Sequence, residues 1–304
     1  MNETRLLLQD RAPAKLNLAL HITGLTEGGY HSLRSIMIGL ELADSLVIEG
    51  SGSSVASPTV RLAVHGGEED VPTDDRNLVV RAIRAFAEAS PGGWPSVLDV
   101  RLDKRIPSQA GLGGGSADAG AVLRMLDRAR PIGRDHLLTL AAGLGSDVPF
   151  MVTGGAALAE GRGERLHALR APCSWWVVLV QPEERVSTAW AYRQFDERVA
   201  EEGPGRGNEC VDALSAALQA GHLEGVAGNL YNDLQAVVTD LHPHLMAIPR
   251  TLVETGCAGA LMTGSGSVFF GLASSRALAR DAASKVRAKN LGRTWITRTW
   301  RETT

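Results

Sequence analysis

Apolar and polar positions alternate in short runs over the first third of the chain. Leu16-Asn-Leu-Ala-Leu-His-Ile-Thr23, Ser45-Leu-Val-Ile-Glu49, Thr59-Val-Arg-Leu-Ala-Val-His65 and Val97-Leu-Asp-Val-Arg-Leu-Asp103 carry that period over part or all of their length. Polar, glycine-rich stretches lie between them, so each run predicts a strand. Asp75 is placed to cap a helix over 76–89, which stops before Ser90-Pro-Gly-Gly93. Beyond a glycine-dense segment at 106–116, Val122, Met125, Leu126 and Ala129 share one helical face. A short helix over 134–144 leads into Gly145-Ser-Asp-Val-Pro-Phe150, and strands at 156–159 and 165–169 follow. Ala171-Pro172 reads as a boundary, dividing the chain into 1–170 and 171–304. After it come an apolar strand at 175–180 and helices at 187–200, 209–219, 230–240 and 244–255. A loop at Gly203–Gly207 interrupts those helices. A strand-turn-strand around Gly264-Ser-Gly266, a helix at 275–289 and a strand at 294–300 complete the pattern. Strands and helices do not alternate as regular βαβ units, which predicts a two-domain α+β fold.

Composition narrows the class. With 304 residues, 44% of them hydrophobic, the chain can bury a core without staples. A net charge of −3 gives no broad electrostatic case for nucleic acid. Three distant cysteines, with no CxxC spacing, argue against a disulfide framework or a zinc site. His242 and His244 flank Pro243 and read as a loop or helix start. The uncharged stretch Thr255–Ser275 is long enough to span a bilayer, but 11 of its 21 residues are Gly, Ser or Thr, so a membrane helix is not expected. The N-terminus lacks the build of a signal peptide. A soluble cytoplasmic protein is the expectation.

The segment Gly111-Leu-Gly-Gly-Gly-Ser116 lies between a predicted strand and a helix. Glycine lets backbone N–H groups converge without Cβ interference, and a helix N-terminus attracts anions, so the segment predicts phosphate binding. It is not a Walker A loop, because no Lys follows the glycines. It is not GxGxxG either, because Ser116 stands at the last position. Ser116 offers a hydroxyl to a phosphate or to Mg²⁺. Asp118 is readable as a first-turn acid favoured by the helix dipole. No acidic cluster fixes ligands for a metal.

Pro107-Ser-Gln-Ala-Gly-Leu-Gly-Gly-Gly-Ser-Ala-Asp118 resembles the ATP-binding signature of the GHMP small-molecule kinases. Three further segments are similar to the motifs of one family within them, the 4-diphosphocytidyl-2-C-methyl-D-erythritol kinases. These are Pro13-Ala-Lys-Leu-Asn-Leu18 with Gly29-Tyr-His31, then Leu144-Gly-Ser-Asp-Val-Pro149, then Leu261-Met-Thr-Gly-Ser-Gly-Ser-Val-Phe269. The departures are Gln109, where many members carry a smaller residue, and the Gly203–Gly207 insertion.

The resemblance implies a two-domain GHMP kinase architecture, ribosomal-S5-like in its N-terminal ATP-binding domain and ferredoxin-like in its C-terminal domain. It implies transfer of the ATP γ-phosphate to the 2-hydroxyl of 4-diphosphocytidyl-2-C-methyl-D-erythritol, a step of non-mevalonate isoprenoid synthesis. Mg²⁺ is expected from that chemistry. By the same resemblance Lys15 and Asp147 are the catalytic pair, and Pro107, Ser108, Gln109, Ala110, Gly111, Leu112, Gly113, Gly114, Gly115, Ser116 and Ala117 hold ATP. Asn17, Tyr30, His31, Thr188, Tyr192, Gly264 and Ser265 meet the substrate, Tyr30, His31 and Tyr192 around the cytosine and Thr188 (or Ser187) at the diphosphate. Read from the residues alone, Asp147 serves equally well as a turn cap and Tyr192 as a core aromatic. The implied partner is a small cytidine-diphosphate molecule, with no nucleic acid or membrane, on a monomer or weak homodimer. The alternatives are another GHMP kinase, acting on homoserine or a mevalonate-type acid, or a non-catalytic binding protein of this fold.

Overall fold

The computed structural model describes residues 5–26, 28–67, 71–90, 92–108, 110–202 and 207–301. The chain forms two compact units from interleaved segments. The first comprises Met1–Ala14, Leu42–Ser108 and Gly113–Gly154; the second comprises Lys15–Glu41, Gln109–Leu112 and Gly155–Thr304. A cut at 170/171 divides the chain in sequence, whereas these units interleave along it.

Two long strands, β1 (Leu6–Leu25) and β2 (His31–Val55), give residues to both units. The sequence pattern found only Leu16–Thr23 of the first and Ser45–Glu49 of the second, because the buried stretch of β1 carries Lys15, Asn17 and His21 among its apolar residues and so keeps no strict alternation. In the first unit, β3 (Thr59–Gly66) runs parallel to β4 (Trp94–Lys104), and β4 runs antiparallel to β2 from Ser45 to Val55. Helix α1 (Leu78–Ala89) buries Val79, Val80, Ile83 and Phe86. Its cap is Asn77 rather than Asp75: the Asn77 side chain accepts from the Val79 N–H at 2.9 Å, while Asp75 pairs with Arg84. Helix α2 (Gly114–Ala129) buries Val122, Leu123, Met125 and Leu126, and α3 (Arg134–Leu144) follows as expected. Helix α4 (Val148–Thr153) was hidden in the sequence by its length; Pro149 in its first turn starts it.

In the second unit, β5 (Ala156–Gly161) pairs with Leu33–Ile38 of β2, and β6 (Arg165–Ala168) pairs with β5. Strand β7 (Trp176–Gln181) is followed by α5 (Thr188–Glu202), α6 (Gly207–Ala220) and α7 (Leu223–Gly228). The predicted Gly203–Gly207 loop lies outside the described residues except for Gly207, which begins α6. A two-residue strand, β8 (Tyr231–Asn232), pairs in parallel with Ala19–Leu20 of β1, and Asn232 caps α8 (Asp233–Leu241). A 3₁₀ turn at Pro243–Met246 opens into α9 (Ala247–Glu254). Strands β9 (Gly259–Met262) and β10 (Phe269–Ala273), helix α10 (Arg276–Ala288) and β11 (Arg293–Arg298) finish the chain. The antiparallel sheet β11-β7-β10-β9 places the last strand beside the first and the third beside the second, which is the ferredoxin-like order. Val178, Val180, Leu252, Phe269 and Ala283 form part of its core. Among the described residues, no helix is long and apolar enough to cross a membrane.

Candidate active site

Lys15 and Asn17 sit one turn of the pleat apart on β1 and so share a face. Both are buried, at 4% exposure. The Lys15 Nζ donates to Asn17 Oδ1 at 2.5 Å; Asn17 Nδ2 donates to Ser35 Oγ at 2.8 Å, and Ser35 Oγ donates to the Ala19 carbonyl at 2.6 Å. The Asn17 amide is thereby committed to orienting the ammonium. Two backbone bonds fix this strand to the glycine segments: Lys15 N–H to Leu112 O at 3.1 Å, and Asn17 N–H to Thr263 Oγ1 at 3.0 Å.

The two glycine motifs meet backbone to backbone. A Cβ on Gly111 would lie 2.5 Å from the Thr263 carbonyl oxygen, and one on Gly264 would lie 3.2 Å from the Gly111 oxygen. Gly111 also has φ +68°, so space and conformation both demand glycine there. Asn232 supports the same turn by donating to the carbonyls of Met262 and Gly264, each at 2.8 Å. Ser265 then meets Thr188 at the start of α5, Oγ to Oγ1 at 2.8 Å. The structure thus brings Lys15, Asn17, Gly111, Leu112, Gly264, Ser265 and Thr188 into one neighbourhood of the second unit.

The aromatic residues separate. The His31 and Tyr192 rings lie 4.6 Å apart, centroid to centroid, and His31 Nε2 is 2.7 Å from Asp196 Oδ1. Tyr192 and Asp196 stand one helical turn apart on α5, the spacing that lets both reach one partner. Tyr30 is 60% exposed and has the Arg162 guanidinium 4.9 Å over its ring.

In the first unit the glycine run passes into α2 at Gly113, the residue before the helix, which lies in the left-handed region, φ +70°. Gly114, Gly115, Ser116 and Ala117 form the first turn of α2, in which the Ala117 N–H closes the turn onto the Gly113 carbonyl at 2.8 Å; Pro107, Ser108 and Ala110 lead in, and Gln109 lies outside the described residues. Asp147 immediately precedes α4 and makes no side-chain cap to that helix, so its carboxylate is not spent as a turn cap. α4 is fixed by α2: a Cβ on Gly120 would lie 2.6 Å from Met151 Cβ.

One cluster was missed from sequence. Lys104 at the end of β4 lies between Asp44 and Asp118, with Nζ 2.5 Å from Asp44 Oδ2 and 2.7 Å from Asp118 Oδ2. Burial drives the Asp118 carboxyl up to about 8, opposed by the Lys104 charge and assisted by Asp44. The two carboxylates outweigh burial at Lys104 and raise its ammonium above the ordinary value. The rarity of lysine was a usable signal: four of the 31 Lys and Arg are Lys15, Lys104, Lys285 and Lys289, and two of these are buried beside the motifs. No group of three or more His, Cys, Asp or Glu able to hold a metal gathers among the described residues; His244 pairs with Glu184 instead.

Comparison with known proteins shows the family. The model of the GHMP kinase N-terminal domain matches residues 77–155, and that of the GHMP kinase C-terminal domain matches 214–291. The 4-diphosphocytidyl-2-C-methyl-D-erythritol kinase of Deinococcus radiodurans is 40% identical over 94% of this chain and 90% of that protein. A crystal structure of 4-(cytidine 5'-diphospho)-2C-methyl-D-erythritol kinase superposes with a TM-score of 0.77 at 36% identity, covering 97% of this chain and 100% of that one. The mevalonate kinase of L. major, solved with R-mevalonate, shares the fold at a TM-score of 0.74 and 15% identity, covering 97% of each chain. The chain belongs to the GHMP kinases and, within them, to the 4-diphosphocytidyl-2-C-methyl-D-erythritol kinases.

Proposed function

We propose that the protein transfers the γ-phosphate of ATP to the 2-hydroxyl of 4-diphosphocytidyl-2-C-methyl-D-erythritol. The observation that carries the assignment of the reacting centre is Lys15: an ammonium buried on β1, aimed by Asn17 and bonded through its own N–H to the glycine segment. Burying an ammonium costs several kcal/mol, and a reaction that develops negative phosphate charge is what such a group serves.

In this reading Asp147 orients the attacking hydroxyl and takes its proton. The new O–P bond forms as the bond between the β-bridging oxygen and the γ-phosphorus breaks, and ADP leaves. Lys15 stabilises the charge on the transferring group. The residues Pro107–Ala117 form the nucleotide loop, and backbone N–H groups of its glycine run and of the start of α2 cradle the nucleotide phosphates. Asn17 holds Lys15 at the acceptor hydroxyl, Thr188 with Gly264 and Ser265 receives the acceptor's diphosphate, and Tyr30, His31 and Tyr192 receive the cytosine. The His31 and Tyr192 rings lie 4.6 Å apart and tilted by 37°, which supports a single aromatic patch for the base. Ser116, in the first turn of α2, would offer its hydroxyl to a Mg²⁺ ion carried on the ATP phosphates, and the cation would supply charge neutralisation there. The expected setting is the cytoplasm, as a monomer or weak homodimer, with 1–170 and 171–304 as the ATP-binding and C-terminal halves of the family pattern.

The test is a coupled kinase assay across acceptors. Turnover with 4-diphosphocytidyl-2-C-methyl-D-erythritol, and none with homoserine or mevalonate, is the expected result. Faster turnover of either amino or hydroxy acid overturns the acceptor assignment.

A further inference from the structure

The Lys104 cluster has no part in the proposed chemistry, yet it grips both ends of the glycine segment. Asp44 accepts at Oδ1 from the N–H groups of Arg105 at 2.5 Å and Ile106 at 2.8 Å, the last residues before that segment. Its Oδ2 takes the Lys104 ammonium, which also holds Asp118 in the opening turns of α2, just after the segment. The ammonium lies 3.4 Å from the position a Cβ would occupy on Gly114. The side chains of Lys104, Asp44 and Asp118 are 6%, 0% and 4% exposed. Asp118 Oδ1 has no hydrogen-bond partner among the described residues. The helices packed on α2 bring no relief, since α1, α3 and α4 bury apolar side chains.

Three buried ionisable side chains with one oxygen unsatisfied are a poor way to stabilise a fold, because well-packed apolar residues of the same volume do as well or better. What the cluster supplies is geometry. A compact ammonium between two carboxylates fixes the end of β4 against the start of α2. We infer that Asp44, Lys104 and Asp118 are positioning residues that hold the N–H groups of the glycine segment in the arrangement that receives nucleotide phosphates. The inference rests on the reading of Pro107–Ala117 as the ATP site.

The experiment compares Asp118→Ala with Asp118→Asn, measuring kcat, the KM for ATP, and the affinities for ADP and CMP by titration calorimetry. Asp118→Ala removes one charge-assisted bond and should raise the ATP KM about tenfold, the size such a bond carries, while CMP affinity and kcat at saturating ATP stay close to the parent. Asp118→Asn keeps an oxygen for the ammonium and should recover most of the loss. Lys104→Arg retains the charge without the compact shape and should weaken ATP binding in a protein that folds. An unchanged ATP KM in Asp118→Ala or Lys104→Arg, or no recovery in Asp118→Asn, overturns the inference. So does an equal loss of CMP and ADP affinity, which marks general damage. Gly114→Val separates the two readings: if it abolishes ADP binding while Asp118→Ala leaves the ATP KM and ADP affinity at the parent values, only the positioning role falls, and if it leaves ADP binding intact, the ATP-site reading falls as well.

Discussion

Asp147 shows how little of a residue's environment a sequence motif conveys. Aspartate before a short helix is a common cap, and Gly145-Ser-Asp-Val-Pro149 reads that way on spacing alone. In the fold the side chain makes no such bond, and the helix starts at Val148 with Pro149 in its first turn. Asp147→Asn should lower kcat by about 10²–10⁴-fold, the usual contribution of general-base assistance, and leave ADP and CMP affinities near the parent values. Retention of half the turnover rules out that role. Lys15 was more legible, because its apolar neighbours in a chain that otherwise favours arginine set it apart. Ser35 and Thr263, the groups that hold its partner Asn17, were not: they reach Asn17 through a strand pairing and a turn 246 residues away, which no local pattern reports.

At the scale of elements, the helices with a strong apolar stripe and the β9–β10 hairpin were readable. Those set by tertiary contact were not, as α4, α7 and β8 show. The α2–α4 contact has a testable cost. Alanine is favoured over glycine inside a helix by about 1 kcal/mol, so Gly120→Ala would stabilise an isolated α2. Here the new methyl would lie 2.8 Å from the Met151 carbonyl carbon, and backbone cannot rotate away. Overpacking of about 1–3 kcal/mol outweighs the propensity gain. Gly120→Ala should lower the urea midpoint, and kcat with it as α4 and Asp147 shift. A variant more stable than its parent contradicts the packing argument.

For the molecule as a whole, stability should depend on pH through Asp118. Its carboxyl is raised from 3.8 to about 8, so the folded state binds a proton that the unfolded chain releases at far lower pH. Stability from this group is present below the unfolded value and is lost as pH rises through about 8, at no more than about 1.4 kcal/mol per pH unit for one proton. Urea titrations at pH 6, 7, 8 and 9 should show the parent losing ground against Asp118→Asn up to about pH 8 and then holding a constant gap. A gap constant over the whole range excludes a titrating Asp118.

The interleaving of the two units has a consequence for synthesis. His21 on β1 bonds Asp233 at the head of α8, 212 residues further along. Ribosomes add roughly 5–20 residues per second, so the apolar second half of β1 waits on the order of 10–40 s before its parallel neighbour β8 exists. Over that interval an edge rich in Leu and Ile is exposed on a nascent chain, the kind of segment that chaperones hold. Final assembly around Lys15 is thus a late, near-complete-chain event.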